Sequence, residues 1–364
     1  MNGELFIGLM SGTSLDGVDA VVLGLSQPHH RILHTAFTPY PDALREQLLA
    51  LHAPTHDELH QTALTSNQLA QLYADAVSQV LASSGLTPAQ ITAIGCHGQT
   101  VRHRPEAGYT LQIGNAALLA ELTGITVVSD FRSRDIAAGG QGAPLVPAFH
   151  AAVFGSPSHE RAILNIGGIA NITMLPRRDS IIGFDTGPGN LLMDAWAGLH
   201  LGQRYDANGE WAASGKVIED LLSRCLSDPF FDLPPPKSTG RDLFNMDWLT
   251  SKLRGDETPA DVQRTLLELT AVSIAQAIRR CCPDVDALYV CGGGAHNRAL
   301  LGSLHDKLPE VEVQLTDTLG IDADWVEAAA FAWLASQAMR RAPGNLPAVT
   351  GAKGERILGA VYAS

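Results

Sequence analysis

The sequence predicts an α/β protein in which one supersecondary plan is used twice. Its first half opens FIGLMSGTSLDGVDAVVLGL, and its second half opens AILNIGGIANITMLPRRDSIIGFDTG. Each opening has the pattern of a strand, a glycine turn and two further strands, and in each half helix, strand, helix and strand follow. A β-β-β-α-β-α-β order that occurs twice indicates an internal duplication. The length of 364 residues suits two domains of about 150 residues each.

Apolar runs and helical periodicity predict the elements of the first half in chain order. Strands are expected at 4–9, 18–25, 31–37, 91–96 and 125–130, and helices at 62–84 and 115–124. The stretch RDIAAGGQGAPLVP, residues 134–147, is rich in glycine and proline. We expect this stretch to be mobile and to cross between the domains.

The second half repeats the plan with one interruption. Strands are expected at 161–166, 170–175, 180–184, 287–291 and 311–315, and helices at 187–200, 261–281, 296–308 and 322–341. Residues 201–257 break the repeat and contain the proline-stiffened loop LPPPKSTGRDLF, so they are interpreted as an insertion. The tail at 355–363 is expected to add a short strand or to cover the first domain. The predicted domains are 1–140 with 342–364, and 141–341.

Composition narrows the classes of function. The chain carries 38 acidic and 25 basic residues, a net charge of −13, which argues against nucleic acid or an anionic membrane surface as a partner. An acidic protein that binds phosphate must use backbone amides, helix ends and a metal. No apolar stretch approaches the ~20 residues of a membrane span, and the start lacks the pattern of a secretory signal. Five cysteines without metal spacing indicate reduced packing residues in a cytoplasmic protein.

The first glycine turn, GTSLDGVD at 12–19, lies between two predicted strands. It is therefore neither a P-loop nor a dinucleotide fingerprint, because both precede a helix. Its backbone N–H groups can bind a phosphate, and Ser11, Thr13 and Ser14 add hydroxyl donors. Asp16 or Asp19 could hold Mg²⁺ through water. The alternative is an ordinary β-hairpin in which Gly and Asp supply the turn geometry.

The second turn, NIGGIAN at 165–171, occupies the matching place in the duplicated plan. Gly167 and Gly168 allow close approach of a ligand to the backbone, and Asn165 or Asn171 could orient a phosphate or its metal waters. A plain hairpin is the alternative for this turn too. Two such turns in register are much harder to explain as hairpins alone, since facing glycine turns could bind one phosphate chain from both sides.

The segment GFDTGPGN, residues 183–190, places Asp185 at the end of a buried strand. A carboxylate there is a natural general base or metal anchor, and the following helix should point its amide end toward the same place. The alternative is that Asp185 only caps that helix. A third glycine turn, CGGGAHN at 291–297, leaves room for a flat ring or a sugar phosphate, although a tight turn explains it equally well. Glu327 lies on the last long helix. The alternative to a role in the site is that this carboxylate is simply exposed to solvent.

Taken together, these motifs resemble a known family. The doubled plan is similar to that of the actin, sugar-kinase and heat-shock-chaperone ATPase superfamily. More narrowly, eight segments in order resemble the anhydro-N-acetylmuramic acid kinase family, and they run from about residue 7 to 330. These are MSGTSLDGVDAV, GCHGQTVRH, SDFRSRDIAAGGQGAPLVP, LNIGGIANIT, FDTGPGN, PPKSTGRDLF, VCGGGAHN and WVEA.

The resemblance implies a duplicated actin-like ATPase fold, with two domains flanking a nucleotide cleft, and an unusual reaction. Such enzymes open the internal bridge of a 1,6-anhydro sugar from the bacterial cell wall with water and phosphorylate O6 with MgATP. Asp185 would activate the water, and Asp16 would hold Mg²⁺ through water. The implied ATP-binding residues are Gly12, Thr13, Ser14, Leu15, Asp16, Gly17, Val18, Asp19, Gly167, Gly168, Gly292, Gly293, Gly294 and Asn297. The implied sugar contacts are His97, Arg134 and Glu327, and the resemblance also suggests a homodimer.

Three other functions compete with this interpretation. An ordinary sugar or small-molecule kinase of the same fold would use Asp185 to deprotonate a hydroxyl and would consume no water. A non-enzymatic ATP switch would need an assembly or peptide-binding region that these residues do not suggest. A dinucleotide oxidoreductase lacks its glycine fingerprint. Mass spectrometry after incubation with ATP and candidate sugars separates them. Only the ring-opening kinase gives a phosphorylated product that has also gained the mass of one water.

Overall fold

The computed structural model of the chain describes residues 4–12, 15–25, 30–54, 56–178 and 180–364. The chain divides into two compact units. Unit 1 comprises Met1–Val153 and Trp325–Ser364, and unit 2 comprises Phe154–Asp324. Within the described ranges, no helix is long and apolar enough to cross a membrane.

The first part of unit 1 contains β1 (Glu4–Met10), β2 (Gly17–Leu25), β3 (His30–Pro39), α1 (Asp42–Ala50), α2 (Glu58–Ser84), β4 (Ile91–Cys96), β5 (Gln99–Arg104), β6 (Tyr109–Ile113), α3 (Ala116–Thr123), β7 (Val127–Ser129), α4 (Ser133–Ala137) and α5 (Val146–Phe154). The long helix α2 buries Leu69, Tyr73 and Val77 against Ile7 and Val22 of the sheet. This apolar face matches the predicted amphipathic helix at 62–84.

Unit 2 contains β8 (Arg161–Ile166), β9 (Ile169–Leu175), β10 (Ile182–Pro188), α6 (Leu191–Leu201), α7 (Glu210–Ser214), α8 (Glu219–Leu226), α9 (Pro229–Asp232), α10 (Met246–Lys252), α11 (Pro259–Cys281), β11 (Ala287–Cys291), α12 (Arg298–Lys307) and β12 (Glu312–Leu315). The predicted insertion at 201–257 corresponds to the short helices α7 to α10. The chain then returns to unit 1 with α13 (Val326–Met339), α14 (Pro347–Thr350) and β13 (Ala360–Tyr362).

The two main sheets have the same topology. In unit 1 the strand order is β13-β7-β4-β1-β2-β3, and in unit 2 it is β10-β9-β8-β11-β12. In each sheet the first three strands are antiparallel, and the fourth and fifth run parallel to the first. The predicted duplicated actin-like α/β fold is thus confirmed. The tail strand β13 pairs with β7, so it extends the first sheet as expected.

Two local predictions differ from the structure. Strand β10 continues to Pro188, which pairs with Ile169 across a register shift after Asp185. Helix α6 consequently starts at Leu191, four residues later than the predicted start at 187. The hairpin β5–β6, which forms a separate two-stranded sheet, was not predicted because QTVRHR mixes polar and apolar residues without a clear period.

The long helix α13 belongs to unit 1, although the predicted second domain, 141–341, includes it. Its backbone lies directly on the first sheet. A Cβ added to Gly8 of β1 would lie 1.8 Å from the carbonyl oxygen of Ala328, and one added to Gly95 of β4 would lie 2.0 Å from that of Phe331. These two glycines permit the close crossing, and the unit boundaries fall after residues 153 and 324.

The stretch at 134–147 lies inside unit 1. The prediction that it crosses between the domains is therefore wrong. Buried Asp135 accepts hydrogen bonds from the Gly142 N–H at 2.8 Å, the Asn345 side chain at 2.7 Å and the Thr350 hydroxyl at 2.8 Å. The Gln141 N–H adds a bond to the Thr350 carbonyl at 2.8 Å. These bonds join the glycine-rich stretch to the C-terminal segment.

Candidate active site

The first glycine turn follows β1 and is anchored by a buried polar network. The Ser11 hydroxyl donates to the Gly98 carbonyl at 3.0 Å and lies 2.8 Å from the Tyr73 hydroxyl. The Gln99 side chain donates to the Gly12 carbonyl at 3.1 Å. The start of the turn is therefore held by the segment that follows β4. Of the predicted hydroxyl donors, Thr13 and Ser14 lie outside the described residues.

In the second part of this turn, some side chains are buried in the core and others are exposed to a ligand. Leu15 has φ 56°, and its N–H donates to the Gly12 carbonyl at 3.3 Å. Leu15 and Val18 are buried in the core of unit 1, so each can offer a ligand only its backbone. Asp16 is exposed, with one carboxylate oxygen 3.0 Å from the Gly17 N–H.

The Gly167–Gly168 turn of unit 2 has space for a side chain at both glycines. A Cβ added to Gly167 would come no closer than 3.7 Å to another atom, and one at Gly168 no closer than 3.8 Å. Neither residue is among the positive-φ glycines. Packing therefore does not explain why both positions lack a side chain, whereas approach of a ligand to the backbone would.

The start of α6 contacts this same turn. The N–H groups of Gly189, Asn190 and Leu191 donate to the carbonyls of Gly167 and Gly168 at 2.8–3.1 Å. The amide end of the helix was expected to point toward the cleft that Asp185 faces. Since these three N–H groups already have partners in the turn, they support its shape and are not spare donors for a phosphate.

Asp185 lies in β10 immediately before the register shift and is partly buried. Its N–H donates to the Lys237 carbonyl at 3.0 Å, and its Oδ2 accepts from the Thr239 N–H at 2.9 Å. Burial raises the pKa of Asp185 to about 6, while the Thr239 N–H and the Lys237 charge hold the pKa down. A carboxyl group with this pKa is ionised at neutral pH and basic enough to accept a proton.

The raised pKa predicts that Asp185 costs stability. Between its ordinary pKa of 3.8 and about 6 the native state binds more protons than the unfolded state, so stability falls as pH rises through this window. Asp185→Asn should therefore unfold at higher urea concentration at about pH 8, with a gain of up to about 3 kcal/mol that vanishes near pH 4. Exposed Asp247 provides the control Asp247→Asn, and equal stability of Asp185→Asn and the parent at pH 8 would contradict the prediction.

The third glycine turn has mostly internal reasons for its composition. Gly292 has φ 79°, and a Cβ there would lie 2.2 Å from the Asn165 side-chain oxygen. A Cβ at Gly294 would lie 2.3 Å from the Ile166 side chain. Asn297 caps α12 by accepting the Leu300 N–H at 3.0 Å. Packing against the end of β8 thus explains Gly292 and Gly294, and helix capping explains Asn297, without a ligand.

Gly293 differs from its neighbours. The nearest atom to a Cβ added there is the Asn190 side-chain nitrogen, 3.7 Å away, and its φ is not positive. Among the three glycines predicted to contact the adenosine, Gly293 is therefore the one at which neither packing nor backbone conformation requires a glycine.

His97 belongs to a buried cluster in unit 1. The Arg132 Nε donates to its Nε2 at 3.2 Å, and an Arg132 terminal nitrogen lies 2.9 Å from the same atom. Burial and the neighbouring Arg132 charge lower the pKa of His97 to about 3. The ring is thus neutral, and because Nε2 accepts, the proton is assigned to Nδ1.

The partner of His97 is Arg132. Arg134, which was predicted as a sugar contact, is exposed on α4. Arg132 also donates to the Gly142 carbonyl at 2.8 Å. Glu327, at the start of α13, is partly buried; burial raises its pKa, and the Arg132 charge lowers it. The structure therefore brings His97, Arg132 and Glu327 into one electrostatic cluster and leaves Arg134 outside it.

Sequence reasoning also missed three residues of unit 2. Thr239 and Lys237 contact Asp185 from the insertion, and Asp194 lies one turn into α6. Burial raises the pKa of Asp194 to about 7, with Arg241 lowering it and Asp206 raising it. The segments SDFRSRD and PPKSTGRD contain Arg132, Lys237, Thr239 and Arg241, but no periodicity marks which of these residues lie near Asp185, Asp194 or His97.

A duplicated actin-like fold with a partly buried carboxylate at a strand end and an open glycine turn is typical of a class of phosphotransferases. The anhydro-N-acetylmuramic acid kinase model matches residues 4–364, and the chain belongs to this family of kinases. It is 59% identical to the anhydro-N-acetylmuramic acid kinase of Nitrosospira multiformis over all of both chains. Identity to that of Nitrosomonas europaea is 58%, over 98% of this chain and 99% of the relative.

A solved structure of component A of (R)-2-hydroxyglutaryl-CoA dehydratase from Acidaminococcus fermentans aligns at a TM-score of 0.48 with 12% identity. The alignment covers 91% of this chain and 96% of that one.

Proposed function

We propose that the chain transfers the γ-phosphoryl group of ATP to O6 of 1,6-anhydro-N-acetylmuramic acid while water opens the internal bridge. The product is N-acetylmuramic acid 6-phosphate, formed in the cytoplasm during peptidoglycan recycling. The observation that carries this proposal is Asp185, a partly buried carboxylate whose pKa is raised to about 6. Membership of the kinase family supports the substrate and the class of reaction.

In the proposed mechanism, Asp185 takes a proton from the water that attacks C1. The base of an inverting glycosidase activates water in the same way. The new C1–O bond forms as the C1–O6 bond breaks. The departing O6 attacks the γ-phosphorus, and the bond from phosphorus to the ADP oxygen breaks. One anhydro sugar, one water and one ATP give the 6-phosphate and ADP, and Asp185 returns its proton to solvent. No second acid is needed, because phosphorus captures O6.

Backbone groups of two turns are proposed to bind the phosphates. The turn at 12–19 of unit 1 and Gly167–Gly168 of unit 2 each supply N–H groups, which suits an acidic chain with few cations to spare. Phosphoryl transfer asks mainly for such positioning and for stabilisation of charge. Gly293 is the proposed approach point for the adenosine, and His97 with Glu327 is proposed to contact the sugar.

Mg²⁺ fits the proposed phosphate site through Asp16. The Asp16 side chain is exposed, and magnesium is commonly held by one or two carboxylates, phosphates and water. We propose Asp16 as the protein's carboxylate for the ion. When bound, Mg²⁺ would neutralise charge on the transferring phosphate.

The order of bond breaking predicts where water oxygen goes. In ¹⁸O-enriched water, the label should enter the anomeric hydroxyl of the product and be absent from the phosphate. The first anomer formed should be the one opposite the original bridge, because water attacks C1 from the far side. Mass spectrometry at early times, with preformed product as the control for slow exchange, gives the readout.

Other labelling patterns would contradict this mechanism. Label in the phosphate would mean that water attacks phosphorus and that the sugar is cleaved separately. Equal phosphorylation of ordinary N-acetylmuramic acid, which has no bridge, would favour a plain sugar kinase.

A further inference from the structure

The segment 237–239 grips Asp185 at two points. The Lys237 carbonyl accepts the Asp185 N–H at 3.0 Å, and the Thr239 N–H donates to Asp185 Oδ2 at 2.9 Å across 54 residues of sequence. One bond fixes the backbone beneath the carboxylate, and the other fixes the rotation of the carboxylate itself. The orientation of Asp185 therefore depends on where this segment of the insertion lies.

The Lys237 side chain holds that segment in place. Its ammonium donates to the carbonyls of Phe230 and Phe231 at 3.0 and 3.3 Å and lies 4.5 Å from the centre of the Phe230 ring. Both phenylalanines belong to α9 and are buried. Lys237 thus ties the segment to a short helix that packs beside β10, and it keeps a positive charge near the base.

The charged groups around Lys237 come from several elements. Arg280 lies on α11 and lowers the pKa of Lys237, whereas Cys281, Asp232 and Asp185 raise it; burial is the largest lowering cause. Asn171, the register partner of Asp185 on β9, is neutral. The charge of Lys237 in turn lowers the pKa of Asp185.

We propose that Lys237 is a positioning residue for the base. Its carbonyl holds the Asp185 backbone N–H, and its ammonium anchors the segment whose Thr239 N–H binds the Asp185 carboxylate. This inference rests on the proposed function, in which Asp185 deprotonates water. A base acts only when ionised, so loss of the ammonium should harm the reaction most at low pH. A merely structural lysine would change the rate equally at every pH.

Lys237→Met tests this role, with Lys237→Arg as the variant that keeps the charge. We expect kcat/KM of Lys237→Met to fall roughly threefold more at pH 5 than at pH 8. The reason is that the acid limb, the low-pH side of the plot of kcat/KM against pH, moves to higher pH. Lys237→Arg should restore the limb of the parent. Lys252, which lies over the Trp248 ring, provides the control: Lys252→Met removes a cation from the same insertion and should leave the limb unchanged.

Two measurements keep the outcomes distinct. Thermal melting and calorimetric ATP binding establish that each variant is folded, and if Lys237→Met does not fold, Lys237→Gln replaces it. A uniform loss across the pH range, or an unmoved limb in a folded variant, overturns the role of Lys237 while the proposed function stands. If Asp185→Asn retains normal turnover, the proposed mechanism with Asp185 as the base fails, whatever Lys237 does.

Discussion

Asp185→Asn should lower kcat for phosphorylation of the anhydro sugar by about 10²–10⁴-fold or more, the usual scale for loss of a general base. Asparagine keeps the shape of the side chain, and its carbonyl oxygen can still accept the Thr239 N–H. It cannot take the proton of the attacking water. Steady-state kinetics with ATP and 1,6-anhydro-N-acetylmuramic acid measure the loss.

ATP affinity should be nearly unchanged in the same variant, because the proposed phosphate contacts are backbone groups of other residues. Calorimetric titration with a non-hydrolysable ATP analogue checks this. Asp247→Asn, an exposed change at the start of α10, controls for loss of a negative charge in unit 2. Near-normal turnover by folded Asp185→Asn would rule out Asp185 as the base.

The fold was predictable because its signals are local. Alternating and buried runs placed β1 to β4 and β8 to β9 within a few residues of the observed strands, and the duplication linked the two halves. The domain boundaries were harder, since α13 follows unit 2 in sequence but packs on β1 and β4. The close contacts of Gly8 and Gly95 with its backbone show that placement in the structure.

The candidate site was predictable where the chemistry sits beside its own motif. Asp185 ends a buried strand next to glycines, a pattern that sequence alone can indicate. Its partner Thr239 lies 54 residues away in an insertion, and a hydrogen bond between such distant residues leaves no periodic signal. Arg132 and Arg134 are similarly ambiguous. Arg132 directly precedes the short helix α4 and Arg134 lies in its first turn, and the sequence does not mark which of the two faces His97.

Glycines show the same limit from another side. In the sequence, Gly168, Gly189 and Gly294 look alike as members of glycine turns. In the structure a Cβ at Gly189 would lie 2.3 Å from the Gly167 carbonyl oxygen, and one at Gly294 2.3 Å from Ile166. These two are needed for packing, whereas Gly168 has space around it. Only the backbone geometry separates a glycine that serves the fold from one that could serve a ligand.

That space makes Gly168 the sharpest test of the phosphate contact. Gly168→Val should leave the fold intact, since the nearest atom to an added Cβ is that of Leu191 at 3.8 Å. Bulk at the turn should keep phosphate from the backbone N–H groups. A charge-assisted hydrogen bond contributes about 1.5–3 kcal/mol, so loss of one bond should weaken ATP binding at least about tenfold. Calorimetric titration with ATP measures the change.

Gly302 supplies the matched control in the same unit. It lies on α12 with no atom within 4 Å of an added Cβ, so Gly302→Ala changes a glycine without touching the turn. Gly168→Ala provides the graded step, because a single methyl should weaken ATP binding less than valine does. Unchanged ATP affinity in folded Gly168→Val would make the turn a structural hairpin only. The open space at Gly168 would then need another explanation, while the role of Asp185 would be unaffected.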